Sequence, residues 1–141
     1  MRKICETLEL NELKEYFFVV IISTYRGKLL LSRHRERTTW EFQGGHIEKK
    51  ESPLEAAERE LYEESGALEY EIKPLCDYMV RDPDTGEGDG GMLFTAEIQR
   101  LGNLPESEIG EVRSFDYMPE DLTYPDILPV LFDKWKEISE I

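Results

Sequence analysis

GHIEKKESPLEAAERELYEESGA, residues 45–67, carries its own punctuation for a helix. Ser52 can cap the first turn, Pro53 suits the first helical position, and Glu55 completes a capping box. Gly66 supplies the stop. Between those bounds Leu54, Ala57 and Leu61 recur at helical spacing, which predicts an apolar stripe facing a sheet. Glu60, Glu63 and Glu64 fall at i, i+3 and i+4 on the adjoining arc, at the edge of that stripe, while Glu55, Glu58 and Tyr62 point outward. Three carboxylates on one face repel one another unless a cation sits among them, so the trio is the candidate divalent-metal site of the chain. The competing reading is a solvated acidic helix, in which each like-charge pair costs only a few tenths of a kcal/mol. Carboxylates are hard oxygen ligands, and no thiolate or histidine pair lies nearby, so the expected ion is Mg²⁺, with Mn²⁺ as a substitute and zinc disfavoured.

The same stretch resembles the signature of the Nudix (MutT-like) hydrolase family. That signature is Gly, five residues, Glu, seven residues, then Arg-Glu-hydrophobic-any-Glu-Glu-any-Gly-hydrophobic, and Gly45, Glu51 and the run Arg59 to Ala67 meet every fixed position. The resemblance extends upstream through Trp40-Glu41-Phe42-Gln43-Gly44-Gly45-His46-Ile47-Glu48, with Gln43 where the family commonly has proline; this is expected to alter the stiffness of the entry turn more than the chemistry. The resemblance implies an α/β/α sandwich around a central mixed β-sheet. It also implies metal ligation by Glu60, Glu63, Glu64 and the main-chain carbonyl of Gly44, with Glu51 and Arg59 orienting the cluster. The implied activity is attack of water on one phosphorus of a nucleoside diphosphate linked to a group X. For the general base it leaves open Glu63, or Glu108 or Glu111 from the segment Glu106-Ser107-Glu108-Ile109-Gly110-Glu111. Loss of box glutamates would mark a nucleotide-sensing domain without catalysis, and none is lost.

At 141 residues the chain is read as one domain spanning 1–141. Seventeen basic residues against 31 acidic ones give a net charge of −14, which opposes attraction to long nucleic acid or an anionic membrane. Cys5 and Cys76 form no Cys-x-x-Cys pair and are expected to be reduced packing residues. Tyr16 to Ile22, the longest uncharged apolar run, is too short to span a bilayer, and Met1 to Glu6 lacks a signal-peptide core. The expectation is a cytoplasmic protein whose partner is a small nucleotide; a homodimer is compatible with the sequence.

Outward from the box, Tyr16 to Ile22 and Lys28 to Ser32 read as a buried hairpin around Tyr25-Arg26-Gly27. Arg33, His34, Arg35 and Arg37 then crowd before the box in a chain short of positive charge, and such a cluster could grip phosphate oxygens. Residues 68–81 and 91–99 read as strands, residues 112–117 as another, and Leu128, Leu131, Trp135 and Ile138 predict a second amphipathic helix after Pro125-Asp126. Residues 82–90 superficially resemble a calcium loop but lack its ligand spacing and flanking helices, so they read as a hairpin loop. Residues 44–50 fail the P-loop spacing, and with only His34 and His46 a covalent triad has little support. A short chain with little outside the core looks like the MutT-type nucleoside triphosphate pyrophosphatases, some of which remove oxidised dGTP. In those enzymes a polar side chain near the start of the last helix reads the purine, and Asp126 is the nearest candidate. Pro83, about sixteen positions past the box, instead resembles a mark of ADP-ribose pyrophosphatases. Nucleotide sugars, dinucleoside polyphosphates and capped RNA are further alternatives.

Overall fold

Phe18–Tyr25 forms the strand around which the fold is built, and its side chains alternate between two buried layers. In the computed structural model, which describes residues 2–139, the elements run β1 (Ile4–Leu8), β2 (Phe18–Tyr25), β3 (Lys28–His34), β4 (Gln43–His46), α1 (Pro53–Ser65), β5 (Ala67–Arg81), β6 (Gly88–Leu101), β7 (Ile109–Phe115) and α2 (Leu128–Ser139). Met1, Glu140 and Ile141 lie outside the described residues. The strands form one sheet in the order β1-β5-β6-β2-β3-β7, with β4 added to β2. β2 and β6 are parallel and every other pairing of named strands is antiparallel, so the sheet is mixed.

Both faces are covered. Val19 and Ile21 of β2 join Phe94, Ala96 and Ile98 of β6 beneath Ala56, Ala57 and Leu61 of α1. Ile22 and Leu93 point the other way, with Leu29, Leu31 and Cys76, beneath Leu128 and Leu131 of α2. A strand buried on both sides needs apolar residues at every position, which is why Tyr16 to Ile22 shows no polar alternation. A hydrogen-bond chain pins α2: the Trp135 indole donates to Thr95 Oγ1 at 2.8 Å, and Thr95 donates to the Ile22 carbonyl at 3.3 Å. The result is the expected α/β/α sandwich.

β2 is shared along its length. Phe18 to Ile21 pair with β4, and Ser23 to Tyr25 pair with β3 across a turn whose Arg26 and Gly27 both have positive φ (52° and 79°), as a type I′ hairpin requires. Where β3 and β4 diverge, the Gln43 side chain fills the fork. It accepts from Ser23 Oγ at 2.6 Å and donates to the Leu30 carbonyl at 3.1 Å and Ser32 Oγ at 2.9 Å. Ser32 in turn donates to the Glu64 carbonyl at 2.7 Å. Gln43 thus belongs to a strand and a fully buried polar network tied to the end of α1, not to an entry turn.

Several boundaries differ from the sequence reading. β1 and β4 have no counterpart in it, and β7 starts at Ile109, which places Glu111 in a strand opposite Arg33. Leu54 is 44 % exposed; the buried arc of α1 is Ala56, Ala57, Glu60, Leu61 and Ser65. Residues 82–87 are a hydrogen-bonded turn, closed by Asp82 N–H to the Glu87 carbonyl and Gly86 N–H to the Asp82 carbonyl, both 2.8 Å. Cys5 and Cys76 are free thiols, four positions out of register on adjacent strands, and burial pushes them up to about 12 and about 11. Among the described residues no helix is long and apolar enough to cross a membrane.

Candidate active site

α1 is fixed at both ends before any ligand is considered. Ser52 Oγ accepts the Glu55 N–H at 3.1 Å while Glu55 Oε1 accepts the Ser52 N–H at 2.9 Å, with Pro53 at the first helical position. Gly66 closes the helix at φ 80°, its N–H donating to the Tyr62 carbonyl at 2.8 Å. The last turn carries no basic residue; it holds Glu63 and Glu64, opposite to what the helix dipole favours. A cation supplied from elsewhere would relieve that conflict.

The acidic trio splits. Glu60, 9 % exposed, lies on the buried arc and the half-buried Glu64 turns toward β4, whereas the Glu63 side chain stays on the outer side. Gly44 and Gly45 of β4 face them. Glu64 Oε1 accepts the Gly44 N–H at 2.9 Å, and a Cβ on Gly45 would overlap the Glu60 carboxylate, so glycine is what lets the helix and strand approach.

Arg59 is the organising cation. Its Nε and Nη2 grip the two oxygens of Glu51 at 2.6 and 2.9 Å, and Nη2 also donates to the His46 carbonyl at 3.1 Å. Its Nη1 meets Glu60 and lies 3.5 Å from Glu63. The guanidinium holds Glu51 down at about 2, and the Arg59 proton is held more tightly than usual by Glu51 and Glu60. Burial raises Glu60 despite Arg59. Glu64 has no such partner. Burial pushes it up to about 8 against the opposing Gly44 N–H, and the charges of Glu60, Glu41 and Glu63 add to the rise.

This donor set suits a hard divalent ion: carboxylate oxygens over a glycine floor, one of them destabilised as an anion by its burial. Among the described residues no three such side chains already converge on one point, so holding an ion requires them to turn on a helix that is itself fixed.

Beside these carboxylates lies a cleft of about 740 Å³ whose lining joins two unlike sets of side chains. The polar set is Arg59, Glu60 and Glu64 over Gly44 and Gly45, with His34, Arg37, Glu41 and Glu108. The apolar set includes Phe18, Val80, Tyr78, Tyr124, Ile127 and Leu128.

Of the basic cluster, His34 and Arg37 therefore reach the cleft, but Arg33 and Arg35 are spent as braces. Arg33 donates to the His34 and Arg37 carbonyls at 3.2 and 2.9 Å and meets Glu111 at 3.4 Å; Arg35 donates to the Ser107 carbonyl. Glu111 lies outside the cleft lining, gripped by Arg113 at 2.7 and 3.0 Å, which with Arg33 holds it below the usual carboxylate range. Glu108 is at the rim, 3.7 Å from His34 Nε2. Glu51 sits behind Arg59. Asp126 also lies outside the lining, accepting the Lys3 N–H at 3.1 Å, while Ile127 and Leu128 next to it turn in.

Sequence reasoning missed Glu41, a 9 % exposed carboxylate 3.4 Å from Arg37 that adds to the charge felt by Glu64. Its signal was a charge enclosed between Trp40 and Phe42, both buried. It also did not assign the apolar part of the lining, whose residues come from β2, β5, the approach to α2 and the first residue of α2.

Comparison with known proteins identifies the family. A family model described as "NUDIX domain" matches residues 14–133. A Bacillus subtilis (strain 168) protein named "Putative 8-oxo-dGTP diphosphatase YtkD" is 30 % identical over 134 residues, covering 84 % of this chain and 80 % of its own. An RNA pyrophosphohydrolase of Ectopseudomonas mendocina (strain ymp) is 39 % identical over 57 residues, 40 % of this chain and 36 % of its own. Among solved structures, a glutamate-to-alanine mutant of the Bacillus subtilis pyrophosphohydrolase BsRppH superposes with a TM-score of 0.77 at 27 % identity, covering 95 % of this chain and 90 % of that one. The family match begins before β2 and ends within α2, taking in strands β2 to β7, the glutamate helix and the residues that line the cleft, and the chain belongs to the Nudix hydrolase family.

Proposed function

We propose that the chain is a Mg²⁺-dependent pyrophosphohydrolase of nucleoside triphosphates, of MutT type, with oxidised nucleotides such as 8-oxo-dGTP as the first substrates to try. The observation that carries this reading is that one cleft is lined both by carboxylates beside Gly44 and Gly45 and by an apolar, aromatic set of side chains. A nucleoside triphosphate has a part to match each set. The similarity to the YtkD protein supports the choice of an oxidised purine nucleotide.

Glu60, Glu63, Glu64 and the Gly44 carbonyl would hold the ion, Mn²⁺ serving in place of Mg²⁺. When bound, it neutralises phosphate charge and makes its water more acidic. Arg59 and Glu51 keep the Glu60 side of the ligand set in place. Arg37 and His34, which also line the cleft, would contact phosphate oxygens. For proton removal from the attacking water, Glu111 is a poor base because two guanidiniums stabilise its charged form. Glu63 and Glu108 keep open carboxylates.

The 5′-triphosphate end of an RNA is the second reading, favoured by the similarity to the Ectopseudomonas mendocina protein named RNA pyrophosphohydrolase; the net charge of −14 weighs against a long RNA. The deciding assay is a panel of dNTPs, 8-oxo-dGTP, ADP-ribose, nucleotide sugars, dinucleoside polyphosphates and triphosphorylated RNA, incubated with Mg²⁺ and analysed for phosphate against pyrophosphate. Pyrophosphate from the nucleoside triphosphates is the expected product. Turnover of ADP-ribose alone would overturn the substrate class, and Mg²⁺-dependent binding without any product would make the chain a sensor.

A further inference from the structure

Tyr78 is among the apolar residues that line the cleft, 2 % exposed, in a position its neighbours have been cleared to accommodate. In the sheet register it lies opposite Gly91 of β6, and Gly91 lies opposite Phe18 of β2. A Cβ on Gly91 would overlap the Cζ and hydroxyl of Tyr78. The ring therefore crosses the bare strand toward β2, carrying its hydroxyl to the middle of the sheet face.

That hydroxyl is an exception among the interior polar groups. Asp77 receives Leu13 N–H, Asn11 N–H and the Tyr16 hydroxyl at 2.8, 3.2 and 2.8 Å, and Gln43, Ser23, Ser32 and the Trp135 indole are all hydrogen-bonded. Tyr78 has no hydrogen-bond partner among the described residues. No sealed polar side-chain atom goes unpaired there either, so its oxygen keeps a small accessible area, and Tyr78 is one of the residues that line the cleft. Phenylalanine would fill the same space without leaving a polar atom to satisfy.

We infer that Tyr78 is a specificity-determining residue: its hydroxyl, presented over Gly91, hydrogen-bonds the edge of a nucleobase lodged against Phe18 and Ile127. The inference rests on the nucleotide reading of this cleft. A hydroxyl both donates and accepts, so it can match a ring nitrogen or an exocyclic oxygen, and its apolar walls suit a flat ring rather than a phosphate. Burial keeps the phenol protonated at neutral pH. Asp126, which the sequence offered for this task, is outside the cleft lining.

The test is Tyr78→Phe, which retains the ring across Gly91. In one preparation, kcat/KM is measured for the best nucleoside triphosphate of the panel and for the abasic ribose 5′-triphosphate, so that any loss of folded enzyme cancels in their ratio. The expected result is a ratio lowered about tenfold or more, as when a desolvated site loses a hydrogen-bond partner, with the abasic substrate unchanged. An unchanged ratio in an enzyme that still hydrolyses nucleoside triphosphates overturns the role of Tyr78 alone. A wild-type protein that hydrolyses neither substrate overturns the nucleotide reading, and the role with it.

Discussion

Glu64→Gln separates the cost of an unpaired buried carboxylate from everything else in the site. In the metal-free protein Glu64 is held up to about 8, against an ordinary value of 4.5. Between those values the folded chain keeps a proton that the unfolded chain has lost, so stability is full at the acid side and falls as pH rises through the window. One proton limits the slope to about 1.4 kcal/mol per pH unit, and because the side chain is only partly buried the loss should total ~2–3 kcal/mol. Glutamine can still accept the Gly44 N–H but does not titrate. Urea denaturation in EDTA should therefore find the two proteins within about 0.5 kcal/mol near pH ~5, and the variant more stable by ~2–3 kcal/mol near pH ~8. Adding Mg²⁺ at the higher pH should stabilise the wild type and do little for the variant, because an ion rewards the ionised carboxylate. Parallel stability curves across the window would refute the account of Glu64.

Glu63→Gln should fold normally and lose most Mg²⁺-dependent turnover, which steady-state assays against Mg²⁺ concentration will read; unchanged turnover removes Glu63 from the reaction. Arg59→Lys keeps the charge but not the two-pronged grip on Glu51, and the Mg²⁺ needed for half-maximal activity should rise about tenfold or more. Gln43→Leu removes one partner each from Ser23 Oγ, Ser32 Oγ and the Leu30 carbonyl, and should lower unfolding free energy by ~2–4 kcal/mol in denaturant titrations.

What the sequence disclosed was local. Ser52, Pro53, Glu55 and Gly66 each act on backbone groups within a turn, so the limits of α1 could be read from them directly. The apolar runs of β2 and β6 were equally plain because burial on both faces leaves no ambiguity of phase. β4 was hidden because Gln43-Gly44-Gly45-His46 has little strand propensity; it is extended only because β2 offers it an edge. Leu54 has the right spacing yet sits in the first turn beyond the covered sheet, while Glu60 takes a place that hydrophobicity would deny it. The two glutamates that turn inward could be named from the box, but their partition from Glu63 depends on Gly44 and Gly45 across the cleft. The division of Arg33 and Arg35 from Arg37 depends on carbonyls and a carboxylate in residues 34–37 and 107–111.

The parallel pairing of β2 with β6 has a bearing on how the chain is made. Ile22 and Thr95, in contact across that pair, are 73 residues apart, so β2 leaves the ribosome long before the strand that completes it. Until then the most oily segment of the molecule has an open edge, and the hairpin and α1 can form around it without closing it. Nascent chains halted before β6 should engage chaperones and aggregate, whereas those that extend past Leu101 should not.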